Sequence, residues 1–168
     1  MRLMEKPLCI AFDCDGVLAD SISSWRTIHE HFGTSSKDLL QRFMAGELTD
    51  SEFMAADIAL WKEKSPKIHR DDLFRAYSGC KLMKGAKELV ADLKAAGIHV
   101  AIVSAGVDLY VQSIAAMVKA DDWIANGFVF DDEGWLTDEG IVRVPSMEKY
   151  TSIKSCLLYT SDAADELS

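Results

Sequence analysis

Residues 8–20 read LCIAFDCDGVLAD, a short apolar run that stops abruptly at two aspartates, Asp13 and Asp15, with Cys14 between them and Gly16 behind. Pro7 bounds the run on one side and an Asp-Gly turn on the other, which suits a buried parallel strand over 8–13. A second run of this kind is IHVAIVS at 98–104, preceded by KGAKELVADLKAAG, whose Gly97 closes a helix. A strand, a long excursion, a helix and a second strand predict an α/β fold with a parallel sheet.

Carboxylates at the carboxyl end of such a strand stand where open α/β sheets bind their ligands. Two acids this close repel unless a cation, a proton or hydrogen-bond donors relieve them, and Gly16 leaves room for backbone to approach a ligand. The same residue types also make an ordinary solvated turn. Spacing alone leaves both readings open.

From about 20 to 81 the pattern is helical throughout: SISSWRTIHEHF, SSKDLLQRFMAGEL, TDSEFMAADIALWKE and RDDLFRAYSG. Thr49 and Glu52 have the spacing of a capping box for the third segment. The insertion is too long for a simple crossover and long enough for a small helical cap. Met44, Phe53, Met54 and Trp61 could line a substrate pocket there, or form the core of the cap itself. Downstream, DLYVQSIAAMVKA reads as a helix, WIANGFVFDDEGWLTDEGIVRV as a β-hairpin about its Asp-Glu-Gly turn, and Ser146 to Ser155 opens as a helix.

The 168 residues, 49% of them hydrophobic, suit one soluble domain. No targeting signal and no apolar run near the roughly 18 residues of a membrane span are visible, so a cytoplasmic protein with no membrane partner is expected. A net charge of −9 repels a phosphate backbone and argues against nucleic acid, while one small phosphate in a local pocket stays admissible. Cys9, Cys14, Cys80 and Cys156 lack CxxC spacing and read as reduced thiols. His29 and His31 lie two apart in a helix, so they do not share a face and make no metal pair.

FDCDGVLAD resembles the first motif, DxDG[TV], of the haloacid dehalogenase superfamily of phosphatases, and IVSAG at 102–106 is similar to its second, a serine ending the next parallel strand. The order of motif, cap, KGAKELVADLKAAG helix, VSAG strand, WIANG, acidic hairpin and VPSMEKY resembles the phosphoserine phosphatase branch from residue 8 to about 155. The resemblance implies a Rossmann-like core from 1–19 and 82–155, with a C1-type helical cap inserted at 20–81. It implies that Asp13 is the nucleophile, forming an aspartyl-phosphate, and Asp15 the acid/base. Ser104 would bind phosphate, helped by Gly16 and by the backbone N–H groups of Ala105 and Gly106 at the start of the next helix, with Lys149 neutralising the phosphoryl charge. Ser104 alone would serve equally as a helix cap, and VSAG is not the G-x-S-x-G elbow of a serine hydrolase. The second acid favours phosphate transfer, because a departing halide needs no proton. Mg²⁺ is the implied cofactor, held by the Asp13 carboxylate, the Asp15 backbone carbonyl, phosphate and water.

Several features depart from that pattern. No GDxxxD follows Lys149, so the remaining carboxylate ligand of the metal is absent from the sequence. Residues 156–168 read CLLYTSDAADELS, of which CLLYTSDAADE resembles the translation of a sequencing-library adaptor, with Leu167 and Ser168 from a variable barcode after it, which would make Asp162 and Asp165 foreign to the site. On that reading the sheet is incomplete, a hydrophobic strand is left at an edge or poorly covered, the chain tends to aggregate, and turnover is weak or nil. The family's substrate-binding Glu and Arg of the cap fall at Ile22 and Asp57, with Asp20, Glu52 or Arg42 as possible stand-ins. The expected partner is therefore a small phosphorylated metabolite whose identity stays open, as does the oligomeric state. A phosphotransferase or mutase of the same fold, and a non-catalytic phosphate-binding domain, are the alternative readings.

Overall fold

The computed structural model describes residues 8–148. The N-terminal residues, Lys149, most of the expected 146–155 helix and the 156–168 tail lie outside the described residues. Strand β1 (Cys9–Phe12) is followed by four helices, α1 (Ser24–Phe32), α2 (Lys37–Met44), α3 (Asp50–Lys64) and α4 (Arg70–Ala76). Then come α5 (Ala86–Ala95), β2 (His99–Val107), α6 (Asp108–Val118), β3 (Asp122–Phe130) and β4 (Leu136–Ile141).

The sheet runs in the order β1-β2-β3-β4. β1 pairs parallel with β2, Cys9 opposite His99 and Phe12 opposite Ile102, and β2 pairs parallel with β3. β3 and β4 form the expected hairpin. The sequence did not reveal that WIANG in β3 is also the third parallel strand, in register with Val103 and Ser104. Strand β2 is almost wholly buried, with Val100, Ile102 and Val107 in the core beside Ile114 and Val118 of α6. Among the described residues β1 is at the sheet edge and only half-buried along its length.

Helices α1 to α4 occupy the stretch read as a cap, and their limits follow local chemistry. Helix α1 begins where the Ser23 side chain accepts from the Arg26 N–H and ends at Gly33 in the left-handed conformation. Helix α3 carries the full capping box expected of Thr49 and Glu52. The chain enters and leaves this region by two short segments that pair antiparallel at Ala19 and Leu82, with Asp20 N–H donating to Lys81 O at 2.8 Å and Met83 N–H to Leu18 O at 2.8 Å. The hairpin reaches back to the helices: Arg70 N–H donates to Gly134 O and Leu136 N–H to Ile68 O, both at 2.9 Å. Met54 of α3 packs on Gly140 so closely that a Cβ there would lie 2.6 Å from the Met54 Cε.

Of the four apolar cap residues, Trp61 and Met54 are buried and belong to the core reading. Phe53 stacks on Phe43, with ring centroids 5.1 Å apart. Met44 does not join them; at 65% exposure it is a surface side chain, because α2 has no buried residue of its own.

Candidate active site

The turn after β1 is wound around Cys14. The N–H groups of Val17, Leu18 and Ala19 all approach the Cys14 carbonyl, at 3.2, 3.0 and 3.0 Å, and Gly16 N–H donates to Ala19 O at 3.0 Å. Gly16 sits at φ 71°, the left-handed region that favours glycine. A Cβ there would meet nothing closer than the Ser21 carbonyl at 3.8 Å, so the turn needs its conformation and not extra room. Winding the turn this way buries the Cys14 thiol, and burial, then the Asp15 and Asp13 carboxylates, push its pKa far up. Cys14 and Cys80 are free thiols, as their spacing suggested.

Asp13 leaves the end of β1 with its Oδ1 accepting from the Cys14 N–H at 2.8 Å. Asp15 Oδ2 accepts twice from Ser24, from its backbone N–H at 3.2 Å and from its hydroxyl at 3.1 Å. Ser24 opens α1 and is fully buried. Its Oγ also accepts from Val107 N–H at 3.0 Å, and its carbonyl accepts from the Tyr77 hydroxyl at 3.1 Å. A backbone N–H can only donate, so Oδ2 is an acceptor and Asp15 is oriented by the first residue of α1.

Ser104 is buried near the end of β2. Ala105 and Gly106 do not start the next helix; both belong to β2, and α6 begins at Asp108 with no side-chain cap. Ser104 therefore caps no helix, and its Oγ accepts from Gly106 N–H at 3.0 Å. The β2–β3 register slips here, from Ser104 opposite Ala125 to Val107 opposite Asn126, so the chain bulges at 105 and 106. A Cβ on Gly106 would stand 2.6 Å from Ser24 Oγ, 3.0 Å from Asp15 Oδ2 and 3.0 Å from Ser104 Oγ. These three polar side chains thus converge on one glycine at the carboxyl edge of the parallel sheet.

Sequence reading missed Ser24, Trp25 and Asn126. Trp25 Nε1–H donates to Ala105 O at 3.0 Å and Asn126 Nδ2–H to the same oxygen at 3.2 Å. Asn126 is buried with both ends engaged: Nδ2–H also donates to Val144 O at 2.9 Å, and Oδ1 accepts from the N–H groups of Arg143 and Val144, each at 2.8 Å. The signal for Asn126 was a polar residue amid the apolar run of WIANGFVF, and it went unused.

Asp57 is not at the surface of a pocket. It is 2% exposed, and Nε2 of the equally buried His29 lies 3.1 Å from its Oδ1. Trp61 Nε1–H donates to His29 Nδ1 at 3.1 Å, with the Thr34 hydroxyl 2.7 Å from the same nitrogen. An indole N–H only donates, so the ring proton is on Nε2, facing Asp57. Burial pushes the Asp57 pKa up, and the His29 contact opposes it. His31, by contrast, is exposed, so the two histidines do face different ways. Of the other cap residues, Arg42 pairs with Glu47 at 3.1 Å and Glu52 is held by Thr49. Ile22, 78% exposed, and Asp20 line a cavity of about 300 Å³ with Arg26, Tyr77, Cys80 and Tyr110, where the two cap linkers meet α6.

Asp13 and the Asp15 carbonyl offer hard oxygen donors of the kind Mg²⁺ takes. Among the described residues no group of three His, Cys, Asp or Glu side chains comes together to hold a metal. No helix among them is long and apolar enough to cross a membrane.

Comparison with known proteins agrees with this architecture. Residues 10–161 match the family of haloacid dehalogenase-like hydrolases. A phosphoserine phosphatase of Archaeoglobus fulgidus is 34% identical over 118 residues, covering 70% of this chain and 33% of that protein. The chain thus spans about a third of the length of that curated relative. The fold is shared with a phospho-aspartyl intermediate analogue of phosphoserine phosphatase, at a TM-score of 0.74, 24% identity, and coverage of 94% of this chain and 74% of that one. It is shared too with a substrate-bound phosphoserine phosphatase complex, at a TM-score of 0.71, 22% identity, and coverage of 94% and 73%.

Proposed function

Since the chain belongs to the haloacid dehalogenase-like hydrolases, we propose that it is a phosphomonoester hydrolase in which Asp13 is the nucleophile and Asp15 the acid/base. The observation that carries this reading is the convergence of Asp15, Ser24 and Ser104 on Gly106, beside the strand end from which Asp13 projects.

A carboxylate oxygen of Asp13 attacks phosphorus as the bond from phosphorus to the substrate oxygen breaks, and Asp15 gives its proton to the departing alkoxide. Asp15 then takes a proton from water, which attacks phosphorus and breaks its bond to Asp13, releasing inorganic phosphate and restoring both aspartates. Ser104 donates its hydroxyl to the phosphoryl oxygens, and Lys149, outside the described residues, supplies a cation for them. Asp13 and the Asp15 carbonyl would hold Mg²⁺ together with phosphate and water, the family's remaining carboxylate ligand being absent from this sequence. When bound, that ion neutralises charge on the phosphoryl oxygens.

The substrate would be a small phosphorylated metabolite. Asp57 is committed to His29 and Ile22 is apolar, so neither offers an ionic hold for the ends of an amino acid. Assaying the chain with Mg²⁺ on a panel of small phosphomonoesters, sugar phosphates included, tests the proposal. Weak phosphate release that Asp13→Asn abolishes, with a hydroxylamine-labile phosphate on Asp13 after rapid quench, is the expected result. Release that survives Asp13→Asn sinks it, and phosphoryl returned to an added alcohol in place of water makes the protein a phosphotransferase.

A further inference from the structure

We propose that Trp25 and Asn126 are positioning residues that clamp the Ala105 carbonyl from two sides and so aim the Ser104 hydroxyl at a phosphoryl group. The proposal deepens the phosphatase reading and rests on its assignment of Ser104.

The β2–β3 ladder is interrupted at Ala105 and Gly106, between the Ser104–Ala125 and Val107–Asn126 pairs. Strand pairing therefore does not fix the peptide that joins them, and a peptide ending in glycine turns over more readily than most. Two side chains take the place of the ladder. The Trp25 indole N–H comes from the second residue of α1, and the Asn126 amide from β3, and both donate to the Ala105 oxygen, at 3.0 and 3.2 Å.

A trans peptide points its C=O and N–H in opposite directions. Holding the Ala105 carbonyl toward Trp25 and Asn126 therefore holds the Gly106 N–H on the other side, where it donates to Ser104 Oγ at 3.0 Å. A hydroxyl that accepts from a backbone N–H still has its own proton to give. The clamp thus sets the direction in which Ser104 donates. Neither clamping residue can drift. Trp25 packs against Trp61, ring centroids 6.2 Å apart, and against Phe128, 5.4 Å away in a T-shaped contact. Asn126 spends its remaining amide hydrogen and its oxygen on Arg143 and Val144, a few residues before Lys149. One amide therefore ties the phosphate-binding strand end to the segment that leads to the lysine.

The test measures binding of inorganic phosphate to the whole chain, with Mg²⁺ present, by isothermal calorimetry. Trp25→Phe keeps a ring and removes the donor. One hydrogen bond is worth about 1 kcal/mol, so phosphate should bind roughly fivefold more weakly. Ser104→Ala should weaken it at least as much, and adding Trp25→Phe to Ser104→Ala should cost nothing further. Full additivity of the two, or unchanged affinity in Trp25→Phe with Ser104→Ala impaired, overturns the clamp alone. Unchanged affinity in Ser104→Ala removes the phosphate-binding role of Ser104 beneath it. Should Trp25→Phe fail to fold, solvent exchange of the Trp25 indole proton in the unaltered chain decides. Phosphate should slow it while leaving Trp135 unaffected, and an unchanged rate overturns the proposal.

Discussion

Helix α1 carries two buried polar side chains, Ser24 in its first turn and His29 further along, and they serve clusters of opposite design. Around Ser24, Asp15 and Ser104 the donors are largely backbone groups: the Ser24 N–H at the start of α1 to Asp15, and, from the end of β2, the Val107 N–H to Ser24 and the Gly106 N–H to Ser104. Around His29 the partners Asp57, Trp61 and Thr34 contribute side chains, each meeting the buried imidazole. The difference teaches that buried polarity does not by itself mark a site. Backbone donors at a sheet edge stay in place when a ligand arrives, whereas side chains gathered on one buried imidazole face each other and not a ligand.

The sharpest way to break this contrast is Gly106→Ala. The new methyl would press on Ser24 Oγ at 2.6 Å and on Asp15 and Ser104 at 3.0 Å. Phosphate affinity should fall at least about tenfold, with a stability loss of about 1–3 kcal/mol from overpacking. Unaltered affinity by calorimetry would put the phosphate elsewhere.

The cap cluster should show the reverse signature. His29→Leu strands a buried carboxylate, and removing one partner of such a pair costs about 3 kcal/mol in urea melts. The double change His29→Leu, Asp57→Leu should recover part of that loss. Phosphate affinity should stay unchanged in both, and a drop in either would join the two clusters into one.

Asp57 also gives the cap a pH dependence of predictable sign. Its folded pKa is raised by burial, so it contributes stability that is fully present below the unfolded carboxylate pKa and is lost as pH rises through the folded value. Asp57→Asn removes that loss. The Tm of the variant relative to the unaltered chain should therefore be more favourable at pH 7 than at pH 4, and a difference of the opposite sign would mean that the His29 contact outweighs burial. The smallest effect belongs to the exposed end of α3, where Thr49→Ala should cost about 1 kcal/mol in thermal melts and leave phosphate binding alone.

Elements whose limits are set by neighbours in sequence were legible. The capping box at Thr49, the Gly97 stop and the hairpin turn each depend on a few adjacent residues, and so does the strand that delivers Asp13. What escaped depends on contacts across the chain. Ser104 reads as a helix cap until the slipped register puts Ala105 and Gly106 inside β2. Asp57 aligns with a substrate-binding position until packing hands it to His29, and Trp25 and Asn126 declare their purpose only where α1 and β3 meet at one carbonyl oxygen.

The pairing of Cys9 with His99 has a consequence for the order of assembly. Every cap helix lies between those two residues, so β1 emerges from the ribosome with its described partner strand still unmade. At roughly 5–20 residues per second, that partner follows on the order of 5–20 s later. The cap helices, held by local contacts, can fold in the interval, and the loop they close shortens the search by which β1 finds β2. Asp13, at the end of β1, thus meets Ser104 only once the whole run of helices between them has been made.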